Sequence, residues 1–100
     1  MNQNNSILID NNDNVVTTFK FIEKGMKVRA IGLETEIITT ENIINGHKVA
    51  IIDIKKGEYI VKYGKNVGVA LTDIYVGDLV HIHNIRSNRG KELREEPIYV

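Results

Sequence analysis

Ala50-Ile51-Ile52-Asp53-Ile54-Lys55-Lys56-Gly57 is echoed twenty residues later by Ala70-Leu71-Thr72-Asp73-Ile74-Tyr75-Val76-Gly77. The two octads share the pattern Ala-x-x-Asp-Ile-x-x-Gly, and Phe21-Ile22-Glu23-Lys24-Gly25 is a weaker copy without the aspartate. Each strong copy predicts the end of a strand, a turn, and a new strand starting at Glu58 or Asp78. An aspartate suits the turn because its carboxylate accepts backbone N–H bonds there. The isoleucine anchors the turn to a core, and the glycine can take positive φ. For Asp53 and Asp73 this structural reading outweighs a catalytic one. Two copies are too few for a solenoid, so the pattern predicts pseudo-symmetric corners of one compact sheet domain.

Working outward, the chain is rich in Ile and Val, and no stretch carries a sustained helical stripe. Segments 7–9, 15–22, 27–31, 36–39, 48–52, 59–63, 67–70 and 79–84 read as short strands. Glycines at 25, 32, 46, 57, 64, 68 and 77 punctuate them. The expected fold class is all-β, barrel-like or clip-like, with one helical turn capped by Thr40 conceivable over 40–44.

One hundred residues make a single domain. The absence of cysteine excludes disulfides, a thiolate nucleophile and sulfur-ligated metal centres. The polar start, Met1 to Ser6, does not read as a signal peptide, and no run approaches the roughly 20 apolar residues of a membrane helix. A cytoplasmic location is the expectation. Thirteen basic residues balance thirteen acidic ones, without the basic stripe that nucleic-acid binding calls for. Zero net charge removes a self-repulsion that keeps proteins apart, which weakly favours a partner.

Few residues are placed to carry chemistry. In Val80-His81-Ile82-His83-Asn84, a strand would put His81 and His83 on one face and Val80 and Ile82 on the other. Paired imidazoles of that kind suit a divalent metal, a carboxylate or acid–base work near neutral pH. An ordinary solvent-facing strand edge is the competing account. His47 and Lys48 follow Gly46 at the mouth of a strand, where anion recognition is plausible. Tyr63, in Lys62-Tyr63-Gly64, reads as a half-buried packing residue whose hydroxyl reaches a partner, with a phenol proton donor as the lesser alternative. Asp10-Asn11-Asn12-Asp13-Asn14 is oxygen-rich but lacks the glycine and terminal glutamate of an EF-hand loop, so it reads as a turn. Nucleotide-binding glycine loops and the zinc-protease His-Glu-x-x-His are absent.

Taken in order, Gly46-His47-Lys48-Val49-Ala50, Asp53-Ile54-x-x-Gly57, Ile60-Val61-Lys62-Tyr63-Gly64, Val67-Gly68-x-Ala70, Asp73-Ile74-x-x-Gly77 and Val80-His81-Ile82-His83-Asn84 form a specific set. Through them, residues 46–89 closely resemble the N-terminal domain of the altronate and galactarate dehydratase family, a SAF-type module with a β-clip fold. Residues 13–25 are similar to a divergent first strand and turn of that module. Departures are Phe21 at an aspartate position, and Thr17-Thr18 where the family usually has small alanines and valines.

The resemblance implies a small β domain accompanying a large catalytic partner, fused to it or as a separate chain. It implies elimination of water or a related group from a sugar acid or similar hydroxy acid, with a divalent metal, iron or manganese, at the interface with the large subunit. The implied catalytic group is His47, His81, His83 and Asn84. His83 and His81 are the implied metal ligands, and Lys48, Lys62 and Tyr63 the substrate-binding residues. Three readings follow: a lyase subunit, a non-catalytic binding or oligomerisation module of the same fold, or the excised first domain of a larger dehydratase. The expected division is a β-clip domain over 1–85 and a charged arm over 86–100 that contacts a partner. A homo-oligomer is a further possibility.

Overall fold

The computed structural model describes residues 3–87, and over that span the chain is all-β, without a helix. Ten short strands form: β1 (Ser6–Ile7), β2 (Val15–Thr18), β3 (Lys27–Val28), β4 (Ala30–Ile31), β5 (Ile37–Ile38), β6 (Lys48–Ala50), β7 (Tyr59–Lys62), β8 (Lys65–Ala70), β9 (Leu79–Val80) and β10 (Ile85–Ser87). They make a five-stranded sheet in the order β4-β1-β2-β6-β9, a three-stranded sheet β10-β8-β7 and a β3-β5 pair. The β1–β4 pairing is parallel and the others are antiparallel.

The octad explains why the strands are short. The structure contains it four times: residues 18–25, 39–46, 50–57 and 70–77. Thr18 and Thr39 stand where the later copies have Ala50 and Ala70, and Asn42 or Phe21 where they have Asp53 or Asp73. The copies work in reciprocal pairs. Ile54 and Ile74 form an antiparallel bridge, as do Ile22 and Ile43. The Gly57 N–H donates to Ala70 O while Gly77 N–H donates to Ala50 O; Gly25 and Gly46 do the same with Thr39 and Thr18. Asp53 accepts from Val76 N–H, Asp73 from Lys56 N–H, and Asn42 from Lys24 N–H. In every copy the residue after the glycine donates its N–H back three residues, and the glycine φ lies between 85° and 92°. That is the geometry of a type II turn, whose third residue must be glycine or a close substitute.

Segment 40–44 is thus no helical turn: it is the approach to the second corner, with Ile43 paired to Ile22. Asparagine in place of aspartate, and threonine in place of alanine, hide this copy from the pattern that the later two display.

Strand alternation sorts the apolar side chains into two clusters on opposite faces of the five-stranded sheet. Val15, Ala50 and Val80 pack with Ile54, Ile60, Ala70, Ile74 and Ile85. Val16 and Val49 pack with Ile22, Val28, Ala30, Ile37 and Ile43. The turn before β2 ties the second sheet on. The buried Asp13 carboxylate accepts the N–H groups of Asp10, Tyr63 and Gly64. Asn14 donates to Tyr59 O and accepts from Val61 N–H, 2.8 Å in each case.

Those bonds sit at a register shift between Ile60 and Val61, a bulge that breaks the alternation in which Tyr59, Val61 and Tyr63 would share a face. Tyr63 falls beyond the strand, in a two-residue hairpin turn, with φ 60° and Gly64 at 69°. It is 56% exposed, so it is no half-buried packing residue.

Strand β9 stops at Val80, well short of the strand expected over 79–84. Asn84 causes the stop. Its side chain accepts from His81 N–H and donates to Leu79 O, and its own N–H donates to His81 O. The chain folds back through a turn and resumes as β10, which pairs with β8 through Ser87, two residues past the boundary expected at 85. The rest of the arm expected over 86–100 lies outside the described residues. Among the described residues, no helix is long and apolar enough to cross a membrane.

Candidate functional site

Strands β2, β6 and β9 deliver the polar groups that stand out. Thr17 lies across from Lys48, and Lys48 across from Val80. Directly opposed residues send their side chains from the same face, here the face of Val15 and Ala50. One register step beyond the strand ends, His47 and His81 meet with ring centroids 4.4 Å apart and planes tilted by 49°. The imidazole pair is therefore His47–His81, not the His81–His83 pair that a continuous strand would make. His83 lies exposed on the turn after β9.

Lys48 is the unusual member. It is 1% exposed, and its Nζ has no hydrogen-bond partner. Removing an ammonium from water without pairing it is costly. Burial first, then the neighbouring Lys62 charge, pull its pKa from 10.5 down to about 8. Lys62 itself lies half-buried on β7, with its ammonium 4.9 Å from the centroid of the exposed Tyr63 ring. That contact is a cation–π pair.

Among the described residues, the buried side-chain polar atoms left without a partner are Thr17 Oγ1, His47 Nδ1, Lys48 Nζ and His81 Nδ1. Native interiors satisfy nearly all such atoms. Their gathering at the ends of three neighbouring strands is what a binding site leaves behind, because its groups keep valences open for something else. The surroundings are cationic. Burial, followed by the charges of His47, Lys48 and His83, holds the His81 pKa below its ordinary 6.5. The ion pairs among the described residues join Glu36 to Lys27 and Arg29, on the β3–β5 side of the molecule.

Local structure explains how each group is held. His47 follows the glycine of the second corner and closes its turn by donating to Ile44 O. The Thr18 hydroxyl braces that corner: it lies 3.1 Å from both Ile44 O and His47 O and accepts the Gly46 N–H. Asn84 is 7% exposed and both ends of its amide are engaged by the turn, so it positions His81 and presents nothing to a ligand. Thr17 and Thr18 enter the sequence only as departures from a family pattern. Their parts, one open and one bracing, depend on strand pairing that no local motif announces.

A divalent metal does not find a full set of ligands here. No three His, Asp or Glu side chains gather among the described residues. The two imidazoles that do meet stand beside lysines, whose charge disfavours a cation and favours an anion.

Known proteins share this arrangement of strands and residues. The family described as "Altronate/galactarate dehydratase SAF domain" matches residues 4–88. An altronate dehydratase of Bacillus subtilis is 39% identical over 82 residues, covering 82% of this chain and 16% of that protein. The altronate dehydratase of Escherichia coli is 38% identical over 77 residues, 76% of this chain and 15% of that protein. A (2R)-sulfolactate sulfo-lyase subunit alpha of Paracoccus pantotrophus is 41% identical over 44 residues, 44% of this chain and 66% of that subunit. The chain thus spans about a sixth of the length of the altronate dehydratases it matches.

Proposed function

Because the chain belongs to the altronate/galactarate dehydratase SAF-domain family, with its β-clip fold, we propose that it is the small module of a lyase of dehydratase type. In this reading it acts with a large catalytic partner, on a sugar acid or similar hydroxy acid. The observation that carries the reading is the buried, partnerless Lys48 amine beside the His47–His81 pair. A carboxylate is the ligand that completes such a site, since it brings negative charge and acceptor oxygens to groups that lack both.

The chemistry follows from that placement. β-Elimination from a hydroxy acid begins with loss of the proton α to the carboxylate. Lys48 and Lys62 would hold the carboxylate and make that proton more acidic. His81, whose cationic form is disfavoured, suits the base that removes it. His83 would help the leaving group depart, with His47 orienting His81. A divalent iron or manganese ion at the interface, with most of its ligands from the partner, would supply polarisation of the carboxylate or the departing oxygen. The partial coverage of much longer altronate dehydratases, and of a protein named as a subunit, supports a division of labour between this module and a larger unit.

The test is reconstitution. The chain is purified with its large companion and assayed on several sugar acids and on sulfolactate, with iron or manganese added. His81→Ala and Lys48→Met should each lower turnover by at least about 100-fold, with assembly unchanged. Activity that survives both changes would remove the site assignment. A chain that forms a lone oligomer, binds acids and adds nothing to any turnover would establish the non-catalytic module in its place.

A further inference from the structure

The lyase-module reading leaves Thr17 without a part. Its hydroxyl is buried and has no partner. The other buried threonines of the octads show what a structural hydroxyl does in this fold. Thr18 Oγ1 bonds within the second corner, and Thr39 Oγ1 lies 3.0 Å from Glu23 O and accepts from Gly25 N–H at 3.0 Å. Thr17 does neither, although it is next in sequence to Thr18. It projects from the same sheet face as Lys48, directly opposite it in the β2–β6 ladder. Opposed side chains in such a ladder stand about 5 Å apart at Cβ. A carboxylate has two oxygens about 2.2 Å apart, a size that one hydroxyl and one amine on adjacent strands can share.

We propose that the Thr17 hydroxyl and the Lys48 amine form a two-point subsite for one carboxylate of a hydroxy acid, so that this chain binds the acid by itself. The inference rests on the lyase-module reading for the class of ligand, and on the structure alone for the site. Lys48 is a donor only, and Thr17 can donate its proton to an oxygen. The pair therefore accepts an anion and rejects a cation, and the nearby Lys62 reinforces the choice. Leaving two buried polar groups open destabilises the unliganded chain. A bound carboxylate satisfies both at once, which is a reason for the fold to keep them.

The experiment titrates the isolated chain with malate at constant ionic strength, read by nuclear magnetic resonance of the backbone amides. Saturable shifts centred on Thr17, Lys48 and His81 are expected. Thr17→Val, which keeps the shape and deletes the hydroxyl, should weaken malate roughly five- to tenfold. Lys48→Met should abolish saturation, and Thr17→Ser, which retains the hydroxyl, should bind within about twofold of the parent. Equal affinity in parent and Thr17→Val overturns the subsite, as does a serine variant that is folded yet as weak as the valine one, or a parent that never saturates. Reconstituted turnover that needs Lys48 and ignores Thr17 overturns it too, while leaving the lyase reading intact. Thr17-dependent malate binding in a chain that contributes nothing to turnover overturns only the lyase reading.

Discussion

The two corner pairs are built from one octad and finished differently. In the pair 50–57 and 70–77, each aspartate accepts an N–H from the other corner, and a carboxylate after each glycine, Glu58 or Asp78, accepts from the start of its own turn. In the pair 18–25 and 39–46, only Asn42 makes the cross-corner bond, and Met26 and His47 occupy the positions after glycine. Threonine hydroxyls brace these corners instead. The site imidazole thus stands where the other pair keeps a structural carboxylate. The regular pair needs no freedom, so it is closed at every valence. The irregular one has exchanged two clamps for a side chain that can serve a ligand.

Several measurements would break or sharpen this contrast, the first by the largest margin. A Cβ on Gly77 would run into Ile38 O, whereas nothing lies within 4 Å of one on Gly25, although both glycines have φ near 90°. Gly77→Ala should therefore cost about 3–5 kcal/mol in urea denaturation, and Gly25→Ala only about 1–2 kcal/mol from the left-handed backbone. Similar losses at both sites would show that the close packing of the regular pair is not what distinguishes it.

The strand joining the pairs carries the next effect. With a folded pKa of about 8 against 10.5, Lys48 binds fewer protons in the folded chain than in the unfolded chain between those values. Its penalty is therefore full below pH 8 and shrinks as pH rises toward 10.5. It amounts to about 3 kcal/mol by that difference. Lys48→Met should stabilise the isolated chain by about 1–3 kcal/mol at pH 7. The gap to the parent should close by pH 10.5, and a variant that is less stable at pH 7 would mean that Lys48 is paired after all. His81 acts with the same sign at lower pH: its folded pKa is depressed, so stability falls as pH drops below 6.5.

The caps give the smallest effects. Asp73→Ala and Asp53→Ala should each cost about 1 kcal/mol. Phe21→Asp, which restores the missing acceptor to the irregular pair, should gain about 0.5 kcal/mol, read as a shift in the denaturation midpoint. No gain there would show that the threonine braces already complete that pair.

The corners were legible because their bonds are local: glycine at the turn, an acceptor before it, an isoleucine between. Two copies announce themselves through Asp53 and Asp73, and the other two are visible only once Asn42 and Phe21 are seen paired with each other's corner. The site was legible in part. His47, Lys48 and His81 lie in motifs that draw the eye, but Thr17 lies in none. His83, Asn84 and Tyr63 were placed on strands that a side-chain hydrogen bond and a bulge end early.

The sequence by itself determined an all-β domain, its turn chemistry and its kinship, because alternation, glycine placement and short motifs act over a few residues. Only the tertiary structure decided which imidazole faces which, and that Lys48 and Thr17 are buried without partners. Those facts depend on the register of β2, β6 and β9, which come from distant parts of the chain. A shift of one residue in that register would send every one of these side chains to the other face.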